Sequence, residues 1–450
     1  MRRPASRRAR RRPAPAPDGR RRAPYIPAVV SQAALEPPAV PPVPDPVRAV
    51  VGALARAGHE AVLVGGCLRD LCLGRPVADW DLATAAPPEA VLALFARAVP
   101  IGLRHGTVML PTAAGPIDVT TYRGPQGDLA GDLARRDFTV NAMALALEPP
   151  RWIDPAGGLA DLRAKRLRAV GDPGARLDED PLRALRALRL ASELGFALDP
   201  ALADAIRARA PRLRAVAAER VRAELERLLR GPFVAAALGL ARALGVEGVL
   251  LGPCAPDAPA VAAALPSDLT LRLAAWLRGR DAGAVLARLR FPRARTDAVA
   301  QLVRLHPIDA RSEPGDLGRL LVRIERSGVE ALLALRSAEL DAGTLRPADA
   351  APVRARLAAL RDALERLERT GVLPGGRPRL AATGRDIMAW LDTGPGPHVG
   401  RALRHLTEQV LEDPSRNEPA TLRRIALAWA ETAPQADDPA SSRPRPSTRS

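Results

Sequence analysis

The sequence predicts an α+β fold, in which a head with a small mixed β-sheet and helices precedes an all-helical neck, body and tail. Three observations support this prediction. Short apolar runs typical of strands occur between residues 47 and 150. From about residue 160 onward the apolar residues recur with helical periodicity and the strand signals stop. Both ends of the chain are rich in proline and lack such periodicity.

The chain has 450 residues, which is enough for two or more domains that each bury a core. Changes in composition and in helix or strand signals divide it into segments. The predicted segments are a disordered Arg/Pro-rich tail 1–46, a head 47–150, a helical neck 151–231, a helical body 232–370, a helical C-terminal tail domain 371–431 and a disordered end 432–450. The folded part is therefore expected to begin near Val47.

The charge of the chain is basic and unevenly distributed. It carries 67 Lys and Arg against 50 Asp and Glu, a formal net charge of +17 at pH 7. Residues 1–25 hold ten Arg and one Asp, yet the region 26–431 keeps a charge of +7. A basic folded region suits a polyanionic partner. For residues 1–46 two interpretations stay open: an arm that attracts RNA, or a solvated tail, including one created by a start codon assigned too far upstream.

Several classes of protein are excluded by composition. No run of about 18 uncharged apolar residues is present, so we expect no membrane span and no membrane partner. The Arg-rich start is followed by prolines rather than an apolar run, which argues against a signal peptide. Three cysteines without a CxxC pair fit a reducing compartment and predict a cytoplasmic protein. The small number of aromatic residues, 3%, argues against a platform of stacked single-stranded bases.

The elements of the head are predicted in order along the chain. The apolar periodicity of 45–58 indicates a helix. A buried strand, EAVLVGG at 60–66, runs into two glycines, and a second strand, ADWDLAT at 78–84, carries two aspartates on one face. A helix entered by prolines is predicted at 87–98. The strands GTVMLPT and GPIDVTTY are then expected to pair through a turn at 113–115.

The segment LVGGCLRDLCLGRPVADWDLAT holds residues suited to phosphate chemistry. Backbone amides at Gly65 and Gly66 can approach phosphates because no Cβ intervenes. Arg69 follows within one helical turn and can add a charge-assisted contact to the same phosphates. Asp79 and Asp81 project from one side of a strand, and such a pair can bridge two Mg²⁺ ions roughly 4 Å apart, as in-line phosphoryl transfer requires. The order of these features on strand, turn, helix and strand is more specific than any one of them.

The same segment resembles a motif of the class II tRNA nucleotidyltransferase and bacterial poly(A) polymerase family. Further segments follow in the order of that family: ARRDFTVNAMAL (134–145) is similar to its ribose-selecting motif, IDPAGGLADLRAKRLRAVGDP (153–173) to its linking motif and RLDEDPLRALRALRLASELGF (176–196) to its nucleotide-base motif. Residues 383–419 are similar to the C-terminal domain of the tRNA-specific members. The resemblance implies a nucleotidyltransferase head, a neck that binds the nucleotide base and RNA, and a tail domain that binds tRNA.

The resemblance also implies a role for each matching residue. Gly66 and Arg69 would meet the triphosphate, and Asp79 and Asp81 would be catalytic and hold Mg²⁺. The other implied nucleotide-binding residues are Arg136 and Asp137 for the ribose, Asp180 and Arg183 for the base edge, and Arg186 and Arg189 for support of the nucleotide and its phosphates. An Asp–Arg pair can accept the edge that cytosine and adenine share while refusing uracil and guanine. A plain helix cap is the other interpretation of the aspartate before Pro181.

Two further residues carry separate interpretations. Asp118 is expected on a strand, on the opposite face from Ile117 and Val119, either as a third carboxylate that orients or deprotonates the attacking 3′-OH or as a solvated edge acid. His105 is expected to be structural. The 5 histidines are scattered and form no His–Asp dipeptide, which argues against the metal-dependent phosphohydrolase module that some relatives carry.

The implied activity is template-independent addition of the 3′-terminal CCA, or part of it, to tRNA from CTP and ATP, with release of pyrophosphate. The segment GPQGDLAGDLA at 124–134 is shorter than in most relatives. This favours one alternative, a CC-adding enzyme that needs a separate A-adding partner. A poly(A) polymerase is a second alternative. The segments WIDPAGG and RHGTV argue against it, because they are similar to the tRNA-specific branch. A non-catalytic RNA-binding relative is the third, and it need not keep both Asp79 and Asp81.

Overall fold

The computed structural model describes residues 42–102, 106–124, 127–310, 317–369 and 379–432. Most of the segment 1–46 and all of 433–450 lie outside the described residues, together with the predictions of disorder made for them, and so does His105. The described part confirms the prediction of an α+β head followed by a helical region. The boundaries between segments stay predictions.

A seven-stranded mixed sheet forms the centre of the head, with the strand order β3-β4-β5-β2-β1-β6-β7. The strands are β1 (Ala61–Val64), β2 (Trp80–Thr84), β3 (Val99–Gly102), β4 (Thr107–Thr112), β5 (Gly115–Thr121), β6 (Ala144–Leu147) and β7 (Pro150–Ile153). Only β2 and β5 run parallel, while every other neighbouring pair in this sheet is antiparallel. The predicted pairing of the fourth and fifth strands through a tight turn is confirmed.

The two faces of this sheet are covered unequally. The head helices are α1 (Asp45–Arg56), α2 (Gly66–Cys72), α3 (Pro88–Leu94) and α4 (Leu129–Ala134). Leu63, Leu82 and Ile117 point into the large core that α1, α2 and α3 cover. Alternation places Val62 and Ala83 on the opposite face, in a small second core that α4 covers in part. The strand side chains that point away from the large core can therefore reach a cleft.

The observed elements differ from the predicted ones at a few places. Helix α3 ends at Leu94 rather than near Ala98, and the chain continues into the edge strand β3, which the sequence did not indicate. Strand β7 extends past the predicted head–neck boundary at residue 150. A parallel pair of two-residue strands, β8 (Arg166–Leu167) and β9 (Ala197–Leu198), interrupts the helical neck. Strands this short carry too few alternating residues to give a sequence signal.

The rest of the described chain is helical. The neck contains α5 (Gly158–Arg163), α6 (Pro173–Glu179), α7 (Arg183–Leu194), α8 (Pro200–Arg209) and α9 (Ala218–Arg230). The body contains α10 (Val234–Ala243), α11 (Val246–Leu250), α12 (Ala258–Ala264), α13 (Leu269–Trp276), α14 (Ala282–Arg288), α15 (Arg293–Leu305), α16 (Leu317–Asp341) and α17 (Pro347–Arg369). The tail contains α18 (Gly384–Leu391), α19 (Pro397–Glu412) and α20 (Pro419–Thr432).

A continuous apolar core joins the head to the helical region. It extends from Val47 in α1 through the neck and body to Leu422 in α20. Helix α7 packs against α9 and α10, and α16 packs against α19. None of the helices in the described ranges is long and apolar enough to cross a membrane. The packing of α7 against α9 forms the wall that faces the head across the cleft.

Candidate active site

A cleft of about 950 Å³ lies between the sheet of the head and the helices of the neck. Every nucleotide-binding or metal-binding residue that the resemblance implied lines it, although these residues come from four separate segments, whereas the further candidate Asp118 does not line it. They are Gly65, Gly66, Arg69, Asp79, Asp81, Arg136, Asp137, Asp180, Arg183, Arg186 and Arg189. The structure thus brings the predicted residues together, while the role of each one stays a prediction.

Three carboxylates meet at one end of the sheet. Asp81 lies in β2 and Asp79 immediately precedes this strand. The parallel register of β2 and β5 places Asp118 directly opposite Asp81. Burial raises the pKa of Asp81 to about 6, with the charges of Asp118 and Asp79 adding to the rise and Arg136 opposing it. Burial and the charge of Asp79 also raise the pKa of Asp118.

This donor set fits a hard divalent cation. Carboxylate oxygens are the ligands that Mg²⁺ prefers, and Mg²⁺ is commonly held by one or two carboxylates together with substrate phosphates. Among the described residues, no group of three or more His, Cys, Asp or Glu is arranged to hold an ion. The carboxylates of Asp79 and Asp81 suit an ion that also takes phosphate oxygens as ligands, and the cationic side chains that line the cleft suit those phosphates.

The glycine turn after β1 leaves little room for a side chain at its first residue, Gly65. Gly65 has a φ of +82°, and a Cβ there would lie 2.9 Å from Arg136 Nη1 and 3.1 Å from Asp81 Oδ2. Gly66 begins α2, and a Cβ there would approach the guanidinium of Arg69 to 3.5 Å. The turn thus allows a carboxylate and two guanidinium groups to approach the backbone closely.

Arg69 is fixed in place by neighbouring polar groups. Its Nε and Nη2 donate to the two carboxylate oxygens of Asp70, at 3.1 and 2.8 Å. Its Nη1 donates to Asn141 Oδ1 at 2.7 Å. Asn141 in turn donates from Nδ2 to Asp137 Oδ1 at 3.1 Å. The glycine-turn segment and the segment 134–145 are therefore connected by one hydrogen-bonded chain of side chains.

Asp137 connects the head to the neck. Its Oδ1 also accepts from the amide of Phe138 at 2.8 Å, and its Oδ2 lies 2.9 Å from Arg186 Nη2 on α7. Burial alone would raise the pKa of Asp137, but Arg186 and the hydrogen bonds from Asn141 and Phe138 lower it below its ordinary value. The carboxylate is therefore ionised and held in one orientation at neutral pH.

Arg136 lies between the metal-binding candidates and a buried acid. Its Nε and Nη2 donate to Asp132 Oδ2 at 3.1 and 3.0 Å. Asp132, on α4, also accepts from Arg123 at 3.1 Å and is almost fully buried. Helix α4 thus fixes Arg136 so that its Nη1 lies above Gly65, beside Asp81.

Asp180 and Arg183 lie at the corner between α6 and α7. Asp180 Oδ1 accepts from the amide of Leu182 at 3.1 Å, but Leu182 rather than Asp180 occupies the N-cap position of α7, so Asp180 is not the plain cap considered from the sequence. Its Oδ2 accepts from Arg220 Nη2 at 2.8 Å. Arg183 donates from Nη2 to the carbonyl of Arg135 at 3.1 Å, which links this corner to the head.

Arg189 differs most from its predicted environment. Its guanidinium is buried, and it donates to Glu224 at 2.6 Å and to Glu193 at 2.7 Å. Two carboxylates therefore compensate the charge that was predicted to support the nucleotide and its phosphates. In this structure Arg189 joins α7 to α9.

Sequence reasoning missed a set of cationic residues that complete the cleft. Arg75 donates to the backbone carbonyl of Glu193 at 2.9 Å and so connects the head to the end of α7. The other missed arginines that line the cleft are Arg123, Arg135, Arg220, Arg227 and Arg230. A signal was present in α9, where Arg220, Glu224 and Arg227 recur at the spacing of one helix face.

The mixed sheet, the strand-borne carboxylates and the basic cleft define a nucleotidyltransferase. Two family models match the chain: the poly A polymerase head domain over residues 61–168, and the "Probable RNA and SrmB- binding site of polymerase A" over residues 195–256.

Curated relatives and solved structures extend the match. A CCA-adding enzyme of Geobacillus stearothermophilus is 34% identical over 82% of this chain and 93% of the relative. A CC-adding tRNA nucleotidyltransferase of Shouchella clausii is 35% identical over 83% and 94%. The match to a CCA-adding enzyme of Anoxybacillus flavithermus, at 44% identity, spans 42% of this chain and 51% of that relative. The crystal structure of a Bacillus stearothermophilus CCA-adding enzyme with CTP superposes with a TM-score of 0.69 and 31% identity, over 87% of this chain and 99% of that one.

The chain therefore belongs to the class II tRNA nucleotidyltransferase and poly(A) polymerase family.

Proposed function

We propose that this protein adds the 3′-terminal CCA to tRNA, using CTP and ATP and no nucleic-acid template. The observation that carries the proposal is that the carboxylates Asp79 and Asp81 line a cleft together with arginines of the head and neck, with Asp118 opposite Asp81 in the sheet. The name of the similar Shouchella clausii protein supports tRNA as the acceptor, and the CTP complex of the similar Bacillus stearothermophilus enzyme supports CTP as a donor. An A at the end of the CCA named for the Geobacillus stearothermophilus relative would require ATP as the second donor.

The proposed chemistry is attack of the RNA 3′-OH on the nucleotide α-phosphate. Asp79 and Asp81 would hold Mg²⁺, which when bound supplies Lewis-acid activation of the hydroxyl and neutralises phosphate charge. Asp118, opposite Asp81 in the sheet, would accept a hydrogen bond from the attacking hydroxyl and orient it. Arg69 and the amides near Gly66 would meet the charge of the departing pyrophosphate.

Base choice is assigned to the corner between α6 and α7. Asp180 offers an acceptor and Arg183 offers donors on the neck side of the cleft. Cytosine and adenine both present an exocyclic amino donor beside a ring-nitrogen acceptor, and this pair of side chains complements both. Uracil and guanine present an oxygen where the amino group would be, which would face the carboxylate and be repelled.

A CC-adding enzyme is the second candidate, and a specific observation favours it. Only residues 122–128 separate the end of β5 from the start of α4, and Pro125 and Gln126 lie outside the described residues. The similar Shouchella clausii protein is named as a CC-adding enzyme and matches as well as the Geobacillus stearothermophilus CCA-adding enzyme. Under this alternative, a separate A-adding partner enzyme would complete the tRNA end.

Nucleotide incorporation tests the proposal. Purified protein and Mg²⁺ are given tRNA that ends at the discriminator base, at C or at CC, with CTP, ATP or both, and products are resolved at single-nucleotide length. We expect stepwise growth to CCA. A stop at CC, with no A added to the CC-ended tRNA, would establish the CC-adding alternative instead.

Two other outcomes separate the remaining classes. Long A tails would place the protein in the poly(A) polymerase branch. No incorporation under any condition, or full activity after both Asp79→Ala and Asp81→Ala are introduced, would contradict the proposed use of the carboxylate pair.

A further inference from the structure

One face of α9 forms three ion pairs with the neighbouring wall of the cleft. Arg220, Glu224 and Arg227 lie four and three residues apart, so they project from the same side of the helix. Both partners of the last two residues lie on α7: Glu224 accepts from Arg189, and Arg227 donates to Glu193 at 3.2 Å. Arg220 reaches farther along the cleft, to the aspartate at the corner between α6 and α7.

The three pairs differ in burial. The Glu224–Arg189 pair is almost closed to water, with side chains 15% and 6% exposed, as expected of a pair that fixes two helices. The side chain of Arg220 is 55% exposed and that of Asp180 27% exposed, and both line the cleft. A pair this exposed contributes little to the stability of the fold. Its position in the cleft therefore calls for another explanation.

The hydrogen bonds of Asp180 explain what Arg220 does. The amide of Leu182 holds Oδ1, at 3.1 Å, and Arg220 Nη2 holds Oδ2, at 2.8 Å. With one contact on each oxygen, the carboxylate cannot rotate without losing a hydrogen bond. Each oxygen still has a free lone pair, because a carboxylate accepts about four hydrogen bonds. The remaining acceptor positions are therefore fixed in direction.

We infer that Arg220 is a positioning residue for base specificity, acting through Asp180. This inference rests on the proposed function, in which Asp180 reads the base edge. A carboxylate with a fixed direction accepts from the amino group of cytosine or adenine and opposes the oxygen of uracil at the same place. Without Arg220 the carboxylate can turn away from that oxygen, so uracil is refused less strongly and the correct bases are held less firmly.

Steady-state incorporation by Arg220→Ala tests this role. We expect the KM for CTP to rise about tenfold, the size expected for one lost hydrogen bond to a charged group, while kcat changes less than twofold. The preference for CTP over UTP in kcat/KM is expected to fall by about tenfold. The KM for tRNA stays unchanged. Arg220→Lys, which keeps a charged donor, is expected to restore most of the preference.

Arg207→Ala is the matched control. Arg207 forms an exposed pair with Asp204 on α8, at 2.5 Å, and does not line the cleft. Its removal deletes the same charge and the same kind of pair, and neither KM should change. In an Asp180→Ala background, adding Arg220→Ala should alter the CTP/UTP preference no further, because the residue through which it acts is gone.

Three results would overturn the inference. The first is an unchanged CTP/UTP preference in Arg220→Ala, and the second is a further loss of preference when Arg220→Ala is added to Asp180→Ala. The third is a rise in the KM for tRNA alone, which would make Arg220 an RNA-phosphate contact. Failure of the proposed function is distinguishable, because the unmodified protein would then incorporate no nucleotide. Thermal melting of each variant confirms that the comparison is made between folded proteins.

Discussion

The three acids that meet where β2 and β5 pair and the buried acids of the helical body differ in their partners. In the head, Asp79, Asp81 and Asp118 lie close together, and within the described ranges none of their carboxylates forms an ion pair. In the body, the carboxylate of Glu339 contacts Arg278 and lies 2.6 Å from Arg336 Nη1. Arg336 also donates to both oxygens of Asp309, at 2.7 and 3.1 Å.

A separate compensated acid, Glu247, also lies in the body. Glu247 is 4% exposed, and Arg242 donates to both of its oxygens, at 2.9 and 3.1 Å. The indole nitrogen of Trp276 donates to the same carboxylate at 2.7 Å. A buried charge that has partners fixes neighbouring helices, whereas a cluster of like charges without them raises the free energy of the fold unless a cation binds. This difference supports the proposal that the head cluster binds a ligand, while the body clusters join helices.

Among the variants that test this comparison, Asp81→Asn should produce the largest loss of activity. The substitution keeps the shape of the side chain but removes a negative charge that we assign to metal binding. We expect kcat/KM for CTP incorporation to fall by at least about 1000-fold, as when a principal group stabilising transition-state charge is lost. The thermal midpoint without divalent cations should stay level or rise, because a repelled charge is removed. Retained activity would refute the assignment.

Glu339→Gln tests the structural side of the comparison. Loss of one charge from the buried cluster leaves Arg278 and Arg336 partly uncompensated, so we expect the fold to lose about 3 kcal/mol. Incorporation per folded molecule should change less than twofold, since the cluster does not line the cleft. Thermal melting and incorporation assays measure the two effects.

Glu330→Gln on the same helix α16 is the control. Glu330 is 51% exposed and pairs with Arg326 at 2.7 Å, so its loss should cost less than about 1 kcal/mol. An equal loss of stability in Glu339→Gln and Glu330→Gln would show that burial and partners do not determine how much each acid contributes to stability.

Gly65→Ala changes the space above the glycine turn. The new Cβ would press against Arg136 and Asp81, so the carboxylate or the guanidinium must move. Displacement of such groups by about 1 Å can reduce the rate about 100-fold, which is the loss we expect in kcat/KM.

Gly58→Ala separates this effect from backbone strain. Gly58 has a similar φ of +84°, but a Cβ there would meet no atom within 4 Å. Both variants should lose about 1–2 kcal/mol of stability from the positive φ, and only Gly65→Ala should lose activity. If Gly58→Ala loses as much activity, local crowding does not explain the role of the turn.

The pH dependence of stability tests the same acid cluster without a change in catalytic rate. The pKa of Asp81 is about 6 in the folded protein and 3.8 in the unfolded chain, so the folded state binds its proton more tightly. Its contribution to stability is therefore present at low pH and lost as pH rises through about 6, by about 3 kcal/mol in total. Relative to Asp81→Asn, the unmodified protein should lose thermal stability between pH 4 and pH 7 in EDTA. A parallel pH profile for the two proteins would contradict the raised pKa.

Local sequence was sufficient for much of the head and the site. The strand–glycine–helix–strand segment 63–84 contains its own turn and alternation, so the sequence alone brings Asp79 and Asp81 together, although β2 begins at Trp80 and Asp79 immediately precedes it. The resemblance supplied the residues at 134–145 and 176–196. The short strands β8 and β9 could not be predicted, because two-residue strands have no periodicity.

Long-range contacts required the tertiary structure. The position of Asp118 beside Asp81 depends on the parallel register of β2 and β5, which are separated by α3, β3 and β4 along the chain. The sequence predicted Arg189 as a nucleotide contact, but two glutamates on different helices compensate its charge. Arg220 was missed because its partner lies 40 residues away.

The sequence by itself determined which side chains are available for catalysis and which face of each strand or helix they occupy. These properties follow from the backbone period of two or 3.6 residues, which operates within a few neighbours. Only the tertiary structure decided which charges meet a partner and which remain open to a ligand. That outcome depends on how α7, α9 and the sheet pack together, because packing fixes the distance between charges and their exposure to water, on which the strength of each ion pair depends.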